Sequence, residues 1–357
     1  MSFVKPKYSK SQINRAGDIL ASTSLHPYSE QQFADSALAN WRAAHGYPIN
    51  TFQATLRNKL KSIDNKAIVA QRLKRAPSII LKLRRFPDMK LARMQDIGGL
   101  RAVVSSTSKV RELEQSYRTS RFEHELISSK DYLKHPKTDG YRGIHLIYRY
   151  KNSGARDYNG LSLELQIRTK LEHAWATAVE TMGTFLGQAL KSGQGEQEWR
   201  SFFAVAGAAL AVYEKTAPVP GYENFAPDRI HQVLYDMEQR LKVLDKLSSF
   251  AIAADRIITE SGQGGYHLII LDSSERTVSI RPYPVSRLEE ANIAYAEIES
   301  RTKAGEAIEA VLVSAGPIDS LRKAYPNYFL DTQVFVRLLR KLTSEWETRT
   351  GMKRRSA

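Results

Sequence analysis

The sequence contains no cysteine and no long apolar run, and each absence removes a class of protein or site. Without cysteine the chain has no disulfide, no thiolate zinc site and no cysteine nucleophile. Its eight histidines show no metal-ligand spacing, so we expect no zinc. The longest apolar stretch, Phe202 to Tyr213, is shorter than the roughly 20 residues that span a bilayer. Because the N-terminus also lacks an apolar signal core, we expect a cytoplasmic protein with no membrane partner.

Acidic residues are few relative to basic ones. The chain has 53 Lys and Arg against 38 Asp and Glu, which gives a formal net charge of +15. A field of this sign attracts polyanions, so it predicts phosphate-rich partners. The excess is uneven, because the stretch from Arg57 to Arg93 holds twelve basic residues and only two Asp. The alternative is a basic surface that only aids solubility.

The hydrophobicity pattern divides the 357 residues into four segments. Residues 1–64 are predicted to be helical, with a break at 46–48, and to pack against the second segment. Residues 65–217 alternate helices with strands, the strands being expected at 100–104, 122–128, 143–150 and 161–168. Residues 218–227 carry three prolines and a glycine and are predicted to be a linker. Residues 228–357 are predicted to begin with one helix over 228–258 and to continue as a smaller α+β unit with a hairpin, so the whole is an α/β or α+β protein.

The segment LSLELQIR, residues 161–168, has the period of two that is typical of a strand with one buried face. A solvent-exposed outer face produces the same alternation. The predicted core face holds Leu161, Leu163, Leu165 and Ile167, and the predicted polar face holds Ser162, Glu164, Gln166 and Arg168.

The segment DGYRGIH suggests a nucleotide site beside this strand. It places Tyr141 and His145 on one face of a predicted strand, after Lys130, Lys134 and Lys137. Ammonium groups neutralise phosphate, and a tyrosine ring stacks on a base for roughly 1–3 kcal/mol. The alternative is a basic loop whose tyrosine packs on its own strand.

Two acidic residues form a candidate magnesium pair. Asp96 precedes the strand GLRAVV and is followed by Gly98 and Gly99, which let a ligand approach the backbone closely. Mg²⁺ takes one or two carboxylates together with phosphate oxygens and water, so Asp96 and Glu164 suffice chemically. A simple cap at the strand entry is the alternative for Asp96.

Four segments in this order resemble the RelA/SpoT synthetase domain over about residues 65–185: QRLKRAPSIILKL, MQDIGGLRAVV, KTDGYRGIHLIYRY and LELQIRTKLEHAWA. The resemblance implies an α+β fold with a mixed, nucleotidyltransferase-like sheet flanked by helices. It also implies a Mg²⁺-dependent transfer of pyrophosphate from ATP to a ribose hydroxyl, with AMP leaving. The metal-dependent hydrolase half of the long enzymes is not expected, because no His and His-Asp pattern precedes this block.

The resemblance also assigns a role to each matching residue. Asp96 and Glu164 are expected to hold Mg²⁺ or to align the attacking hydroxyl, and Tyr141 to stack on the acceptor base. One departure is Asp139, which stands where these enzymes usually carry asparagine; its charge repels acceptor phosphates. The remaining expectations are ATP contacts from Arg72, Lys74, Lys82 and Arg101, acceptor-phosphate contacts from Lys130 and Lys137, and a polar floor from His145, Gln166 and Arg168.

The C-terminal part contains a YxxY element formed by Tyr325 and Tyr328. Taken alone, it is typical of local packing around a Pro-Asn turn. The whole layout, however, resembles the CapRel family of fused toxin and antitoxin proteins. That resemblance implies a C-terminal regulatory domain whose tyrosines hold the enzyme inactive, an acceptor at the 3′ end of tRNA, and release by a phage major capsid protein.

Two alternatives remain open at this point. One is a small alarmone synthetase that makes (p)ppGpp from ATP and GDP or GTP. The other is a catalytically inactive module that binds RNA or a protein partner and retains only the fold.

Overall fold

A computed structural model describes residues 3–74, 76–186, 190, 196–249, 266–272, 277–303, 306, 308–314 and 328–351. The fold is α+β, as predicted, with a five-stranded and a three-stranded sheet. The chain forms two compact units. Unit 1 comprises Met1–Tyr132 and Gly143–Lys170, and unit 2 comprises Leu133–Arg142 and Leu171–Ala357. No helix within the described ranges is both long and apolar enough to cross a bilayer.

Unit 1 begins with three helices: α1 (Lys10–Ala21), α2 (Tyr28–Ala44) and α3 (Gly46–Ile63). A capping box starts α1, because Ser9 and Gln12 each accept a hydrogen bond from the other's backbone N–H. The predicted break near Gly46 is confirmed as the start of α3. Pro48 lies in the first turn of α3, where its missing N–H leaves no helical hydrogen bond unmade.

A mixed sheet of five strands comes next, in the order β1-β2-β5-β4-β3. Only β2 and β5 are parallel. The strand predicted at 122–128 lies a few residues later, and β1 was not predicted, because this edge strand carries a half-exposed sequence with little alternation. The elements are β1 (Ile68–Leu73), α4 (Ala76–Arg85), β2 (Gly98–Val104), α5 (Thr107–Arg118), β3 (Glu125–Asp131), β4 (Ile144–Arg149) and β5 (Ser162–Thr169).

The register of this sheet aligns four of the predicted site residues. Gln166 on β5 lies opposite Arg101 on β2 and His145 on β4, and His145 lies opposite Lys130 on β3. Directly paired residues of neighbouring strands point to the same face. The predicted polar face of β5 therefore continues across four strands as one polar row.

Among its described residues, unit 2 contains the five helices named below, a further helical stretch over 243–249, and a three-stranded antiparallel sheet in the order β7-β6-β8. The predicted hairpin is confirmed as β6 and β7; the turn residues 273–276 lie outside the described ranges. The elements are α6 (Lys170–Phe185), α7 (Gln197–Glu214), α8 (Pro227–Leu241), β6 (Tyr266–Asp272), β7 (Thr277–Tyr283), α9 (Leu288–Lys303), β8 (Ile308–Ser314) and α10 (Tyr328–Thr350).

One apolar core joins α6, α7, α8 and α10. It exists because α7 is apolar on most of its circumference, with eleven of its 18 residues buried, and so needs partners on several sides. The predicted linker 218–227 connects α7 to α8 and is mostly exposed, but its Val219 is fully buried in this core. The predicted division into catalytic and regulatory domains stays a prediction.

The prediction of a single helix over 228–258 is wrong for its described part, 228–249, and residues 250–258 lie outside the described ranges. The helix α8 ends at Leu241 because Lys242 adopts the left-handed conformation, with φ 50°, and a separate helical stretch covers 243–249. Glu238 stabilises this break, since its two carboxylate oxygens accept the Leu244 N–H at 3.1 and 3.2 Å.

The buried Glu238 is expected to make the free energy of unfolding depend on pH. Burial raises the pKa of Glu238 to about 7, although the Leu244 N–H favours the charged form. The unfolded chain loses the Glu238 proton near pH 4.5, whereas the folded protein keeps it up to about pH 7. The contribution of protonated Glu238 to the free energy of unfolding is therefore fully present below pH 4.5 and is lost as the pH rises to and through 7. We expect Glu238→Gln to increase the free energy of unfolding at pH 8 by up to about 3 kcal/mol and to change it little at pH 4.5.

Urea unfolding at both pH values measures this effect. Asp236→Asn, an exposed change on the same helix, serves as the control and should alter stability at neither pH. Equal stabilisation by Glu238→Gln at pH 4.5 and pH 8 would contradict the prediction.

Candidate active site

An open cavity of about 720 Å³ lies in unit 1. Its volume is in the range of small-molecule sites. The cavity is lined by five basic and three acidic side chains together with apolar ones, so it suits an anionic ligand that also has an apolar part. The charged lining residues are Lys82, Arg85, Lys90, Arg93, Lys130, Asp88, Asp96 and Glu164.

Asp96 binds two lysines at this cavity. Its Oδ2 lies 2.9 Å from Lys74 Nζ and its Oδ1 lies 3.0 Å from Lys82 Nζ. Three elements bring these groups together: Lys74 follows β1, Lys82 is on α4, and Asp96 precedes β2, while the backbone bond from Lys74 N–H to Ile97 O holds β1 beside the Asp96 loop. Burial alone would raise the pKa of Asp96, but the two ammonium groups lower it below its usual value.

Glu164 belongs to a hydrogen-bonded row on the polar face of β5. Its Oε1 lies 2.8 Å from His145 Nδ1, and its Oε2 accepts from Gln166 Nε2 at 2.7 Å. Gln166 in turn accepts from Arg168 at 2.9 Å. Burial opposes ionisation, but His145, Gln166 and Arg168 lower the pKa of Glu164 to about 2. Glu164 is therefore ionised at neutral pH.

Tyr132 is an aromatic neighbour of His145 within unit 1. The Tyr132 ring meets the His145 ring edge-on at 5.3 Å. The prediction that Tyr141 shares a strand face with His145 is wrong, because β4 begins only at Ile144 and Tyr141 lies in the 133–142 loop of unit 2. Period-two counting from Lys130 along β3 would have indicated Tyr132.

The cavity also contains residues that the sequence analysis did not single out. Arg85 and Phe86 adjoin each other at the end of α4, with the Arg85 guanidinium 5.3 Å from the Phe86 ring centre. Lys90 is paired with Asp18 at 2.9 Å. The excess of basic residues between Arg57 and Arg93 was the available signal, but composition alone does not show which of them line a cavity.

Tyr141 and Lys137 lie in unit 2, where they contact each other. The Lys137 ammonium is 5.0 Å from the Tyr141 ring centre, and the same ring meets Trp175 at 6.2 Å. Asp139 Oδ1 accepts the Tyr141 N–H at 2.9 Å. An asparagine oxygen would accept the same bond, so Asp139 preserves the turn and differs from asparagine only in its charge.

The 133–142 loop is anchored to the end of α7. Arg142 is 2.8 Å from Glu214, and their side chains are only 2% and 9% exposed. Arg142 also donates to Thr216 Oγ1 at 2.9 Å. Gly140 and Gly207 touch so closely that a Cβ on Gly207 would lie 2.7 Å from Gly140 Cα. Position 140 has a second requirement for glycine, because its φ is 91°.

Because the Arg142–Glu214 pair is buried, we expect a single substitution of Arg142 to destabilise the protein much more than substitution of both partners. We expect Arg142→Leu to lower the free energy of unfolding by about 3–5 kcal/mol, because it leaves the Glu214 charge buried and unpaired. The double change Arg142→Leu/Glu214→Leu should recover most of this loss. Arg149→Leu removes an exposed ion pair with Glu125 of 3.0 Å and should cost less than about 1 kcal/mol. Denaturant unfolding measures all three, and equal losses for Arg142→Leu and Arg149→Leu would be inconsistent with a buried pair.

The other predicted residues lie on β1, β2 and the C-terminal part of the chain. Arg101 is half-buried on β2, and Arg72 on β1 pairs with Gly99 in the backbone register; the Arg72 side chain lies outside the described part of the structure. Tyr325 also lies outside it. Tyr328 is the first residue of α10, and nothing of its side chain is described.

The similarity to known protein families covers part of unit 1, the 133–142 loop and most of α6. Residues 71–183 match the family model described as "Region found in RelA / SpoT proteins". The chain is 31% identical over 111 residues to "GTP pyrophosphokinase YjbM" of Bacillus subtilis (strain 168), a match that covers 30% of this chain and 52% of that protein. The chain thus spans about half the length of this curated relative.

Solved structures resemble the chain as well. A GTP pyrophosphokinase family protein from Streptococcus pneumoniae has a TM-score of 0.41 at 20% identity, over 53% of this chain and 91% of that one. The small alarmone synthetase 1 from Bacillus subtilis bound to its product pppGpp has a TM-score of 0.39 at 22% identity, over 47% of this chain and 90% of that one.

Proposed function

We propose that this protein transfers a pyrophosphate group from ATP to the 3′-hydroxyl of a guanosine nucleotide, GDP or GTP. The observation that carries the proposal is that two ionised carboxylates, Asp96 and Glu164, line one basic cavity. Both lie in the segment that matches the RelA/SpoT family model. The acceptor is supported by the relative named GTP pyrophosphokinase. In this reaction the acceptor oxygen bonds to the β-phosphorus of ATP, the bond from that phosphorus to the oxygen shared with the α-phosphate breaks, AMP leaves, and the proton of the hydroxyl passes to solvent.

Lys74 and Lys82 are the proposed ATP-phosphate ligands. In the structure both are neutralised by one carboxylate, Asp96. A triphosphate brings more negative charge than Asp96 alone, so we expect the two ammonium groups to exchange Asp96 for phosphate oxygens. Arg72 and Arg101 are proposed to add further phosphate contacts from β1 and β2.

Asp96 and Glu164 fit a Mg²⁺ ion that is held mainly by nucleotide phosphates. No group of three or more His, Asp or Glu side chains in the described ranges forms a ready metal site, but Mg²⁺ needs only one or two carboxylates beside phosphate and water. Both groups line the cavity and both pKa values favour the ionised form. When bound, the ion supplies charge neutralisation on the phosphates.

Glu164 is proposed to orient the attacking hydroxyl. A carboxylate with a pKa of about 2 is a weak general base at neutral pH, so accepting a hydrogen bond from the hydroxyl is the role that suits it. The contacts with His145 and Gln166 fix the carboxylate in one orientation. Positioning and charge account for most catalysis in phosphoryl-type transfer, so this role is sufficient.

Acceptor contacts are proposed separately for residues of unit 2, Tyr141 and Lys137, and for residues of unit 1. The Tyr141 ring offers a stacking surface for a base, and Lys137 already approaches that ring at 5.0 Å. Lys130 lines the cavity of unit 1 and is proposed to bind acceptor phosphate, while His145, Gln166 and Arg168 form the polar floor.

A second candidate acceptor is the 3′ end of tRNA. Two observations favour it: the carboxylate of Asp139, which repels the phosphates of a small nucleotide, and the basic run from Arg57 to Arg93, which can follow an RNA backbone. The resemblance to CapRel would add inhibition by Tyr325 and Tyr328 and release by a phage major capsid protein.

The acceptor is tested by incubating the full-length protein with Mg²⁺ and ATP labelled on the γ-phosphate, together with GDP, GTP or purified tRNA. Label in GDP or GTP supports the proposal, and label in tRNA alone supports the second candidate. Glu164→Gln is the control for contaminating activity. If no acceptor is labelled, with the wild-type protein shown to be folded, the binding-module alternative replaces both.

A further inference from the structure

The 133–142 loop is part of the core of unit 2, although its residues fall between β3 and β4 of the sheet. The division into compact units assigns Leu133–Arg142 to unit 2, and Tyr141 packs against the apolar core of that unit. The first contact of Tyr141 in this core is Trp175, whose ring lies 6.2 Å away at 63°.

Trp175 in turn contacts Phe203 on α7. The Trp175 Nε1–H donates to the Phe203 carbonyl oxygen at 2.9 Å, and the two rings meet edge-on at 6.5 Å. The loop backbone packs closely against the same carbonyl, because a Cβ on Gly140 would lie only 2.9 Å from it. One peptide group of α7 therefore bonds to the indole that contacts Tyr141 and packs against the residue that precedes Tyr141.

Phe203 is in turn held by the last helix. Its ring stacks on Phe335 of α10, with centroids 6.2 Å apart and an angle of 29° between the planes. Phe203 is 2% exposed and Phe335 is 1% exposed. Close-packed interiors transmit displacements because they contain little free volume, so a change at Phe335 has a direct path to the loop.

We propose that Phe335 is a positioning residue for Tyr141, acting through Phe203 and Trp175, so that helix α10 sets the affinity for the acceptor. The acceptor part of this inference rests on the proposed function of Tyr141. The proposed ATP ligands Lys74 and Lys82 and the carboxylates Asp96 and Glu164 all belong to unit 1. A loosened loop should therefore weaken acceptor binding and leave ATP binding unchanged.

The test compares Phe335→Leu with Trp346→Leu in the full-length protein. Trp346 is a buried aromatic on the same helix, about three turns further along, and its ring partner is Tyr235 at 5.0 Å. Phe335→Met, whose unbranched and flexible side chain can adapt to the space left by the ring, is the second variant should Phe335→Leu fail to fold. The structural readout is hydrogen exchange in a peptide covering residues 133–142, where Gly140 N–H bonds to Lys137 O and Lys137 N–H bonds to Tyr141 O.

We expect Phe335→Leu to accelerate exchange in this peptide while Trp346→Leu does not. We also expect the KM for the acceptor to rise roughly three- to tenfold, the range that corresponds to one aromatic pair, with an unchanged KM for ATP. In a Tyr141→Ala background, Phe335→Leu should have no further effect on the acceptor KM.

Equal exchange in the two variants overturns the inference. So does faster exchange without a change in acceptor KM, if Tyr141→Ala itself raises that KM. If Tyr141→Ala leaves the acceptor KM unchanged, the proposed role of Tyr141 is wrong, and the exchange result alone then decides whether Phe335 positions the loop.

Discussion

Glu164→Gln is expected to lower kcat for pyrophosphate transfer by at least about a hundredfold, the cost of removing one preorganised electrostatic contact from an active site. Glutamine has the same shape and retains hydrogen-bonding atoms for Gln166, but it loses the charge that pairs with His145 at 2.8 Å. The hydroxyl of the acceptor would then meet a weaker hydrogen-bond acceptor. Initial rates at saturating ATP and acceptor measure the effect.

The control for this prediction is Glu125→Gln. Glu125 is a glutamate on β3 whose side chain is 58% exposed and pairs with Arg149 across the strands. We expect its rate to equal that of the wild type. A Glu164→Gln enzyme with a normal kcat would show that Glu164 serves only the fold of β5.

Ending the chain after Ala217 is expected to unfold unit 2 instead of releasing an active enzyme. The truncation removes α8 and α10, which share one core with α6 and α7. Each fully buried apolar side chain contributes roughly 1.5–3 kcal/mol, and the stability of a whole domain is only about 5–15 kcal/mol. The side chains removed from this core include Ile230, Leu234, Leu241, Phe335, Val336, Leu339 and Leu342.

Thermal unfolding and binding of an apolar dye measure this outcome. We expect the shortened chain to bind the dye strongly and to lose the cooperative transition of unit 2. A chain ended after Gly351, which keeps every described element, is the control. A cooperatively folded 1–217 chain with raised activity would instead support the self-inhibition that the resemblance to CapRel implies, and inhibition should then be tested by changes at Tyr325 and Tyr328.

The parts of the fold that could be predicted are those specified by local patterns. The alternation of apolar and polar residues in β5 is local, and the buried positions Leu163, Leu165 and Ile167 confirm it. The edge strand β1 was missed because its exposed sequence lacks that alternation. The end of α8 was missed because Lys242 adopts a left-handed conformation that a lysine rarely takes and that no sequence signal marks.

The candidate site was predictable as a set of residue types and only partly as an arrangement. Gln166 and Glu164 follow from strand alternation, whereas the two lysines on Asp96 come from separate elements that only the tertiary fold brings together. Tyr141 was predicted to share a strand face with His145, but β4 begins only at Ile144, so strand alternation does not reach Tyr141. The contact between Gly140 and Gly207 joins residues far apart in the chain, so no local pattern could show that the 133–142 loop belongs to unit 2.

The fate of the two terminal phosphates of ATP decides whether this protein transfers pyrophosphate. Parallel reactions would use ATP labelled at the β-phosphate and ATP labelled at the γ-phosphate, with AMP measured in each. We expect both labels to enter the acceptor in equal amounts, with one AMP released for each acceptor modified. Transfer of the γ-label alone with release of ADP, or release of AMP with no labelled acceptor, would contradict this expectation.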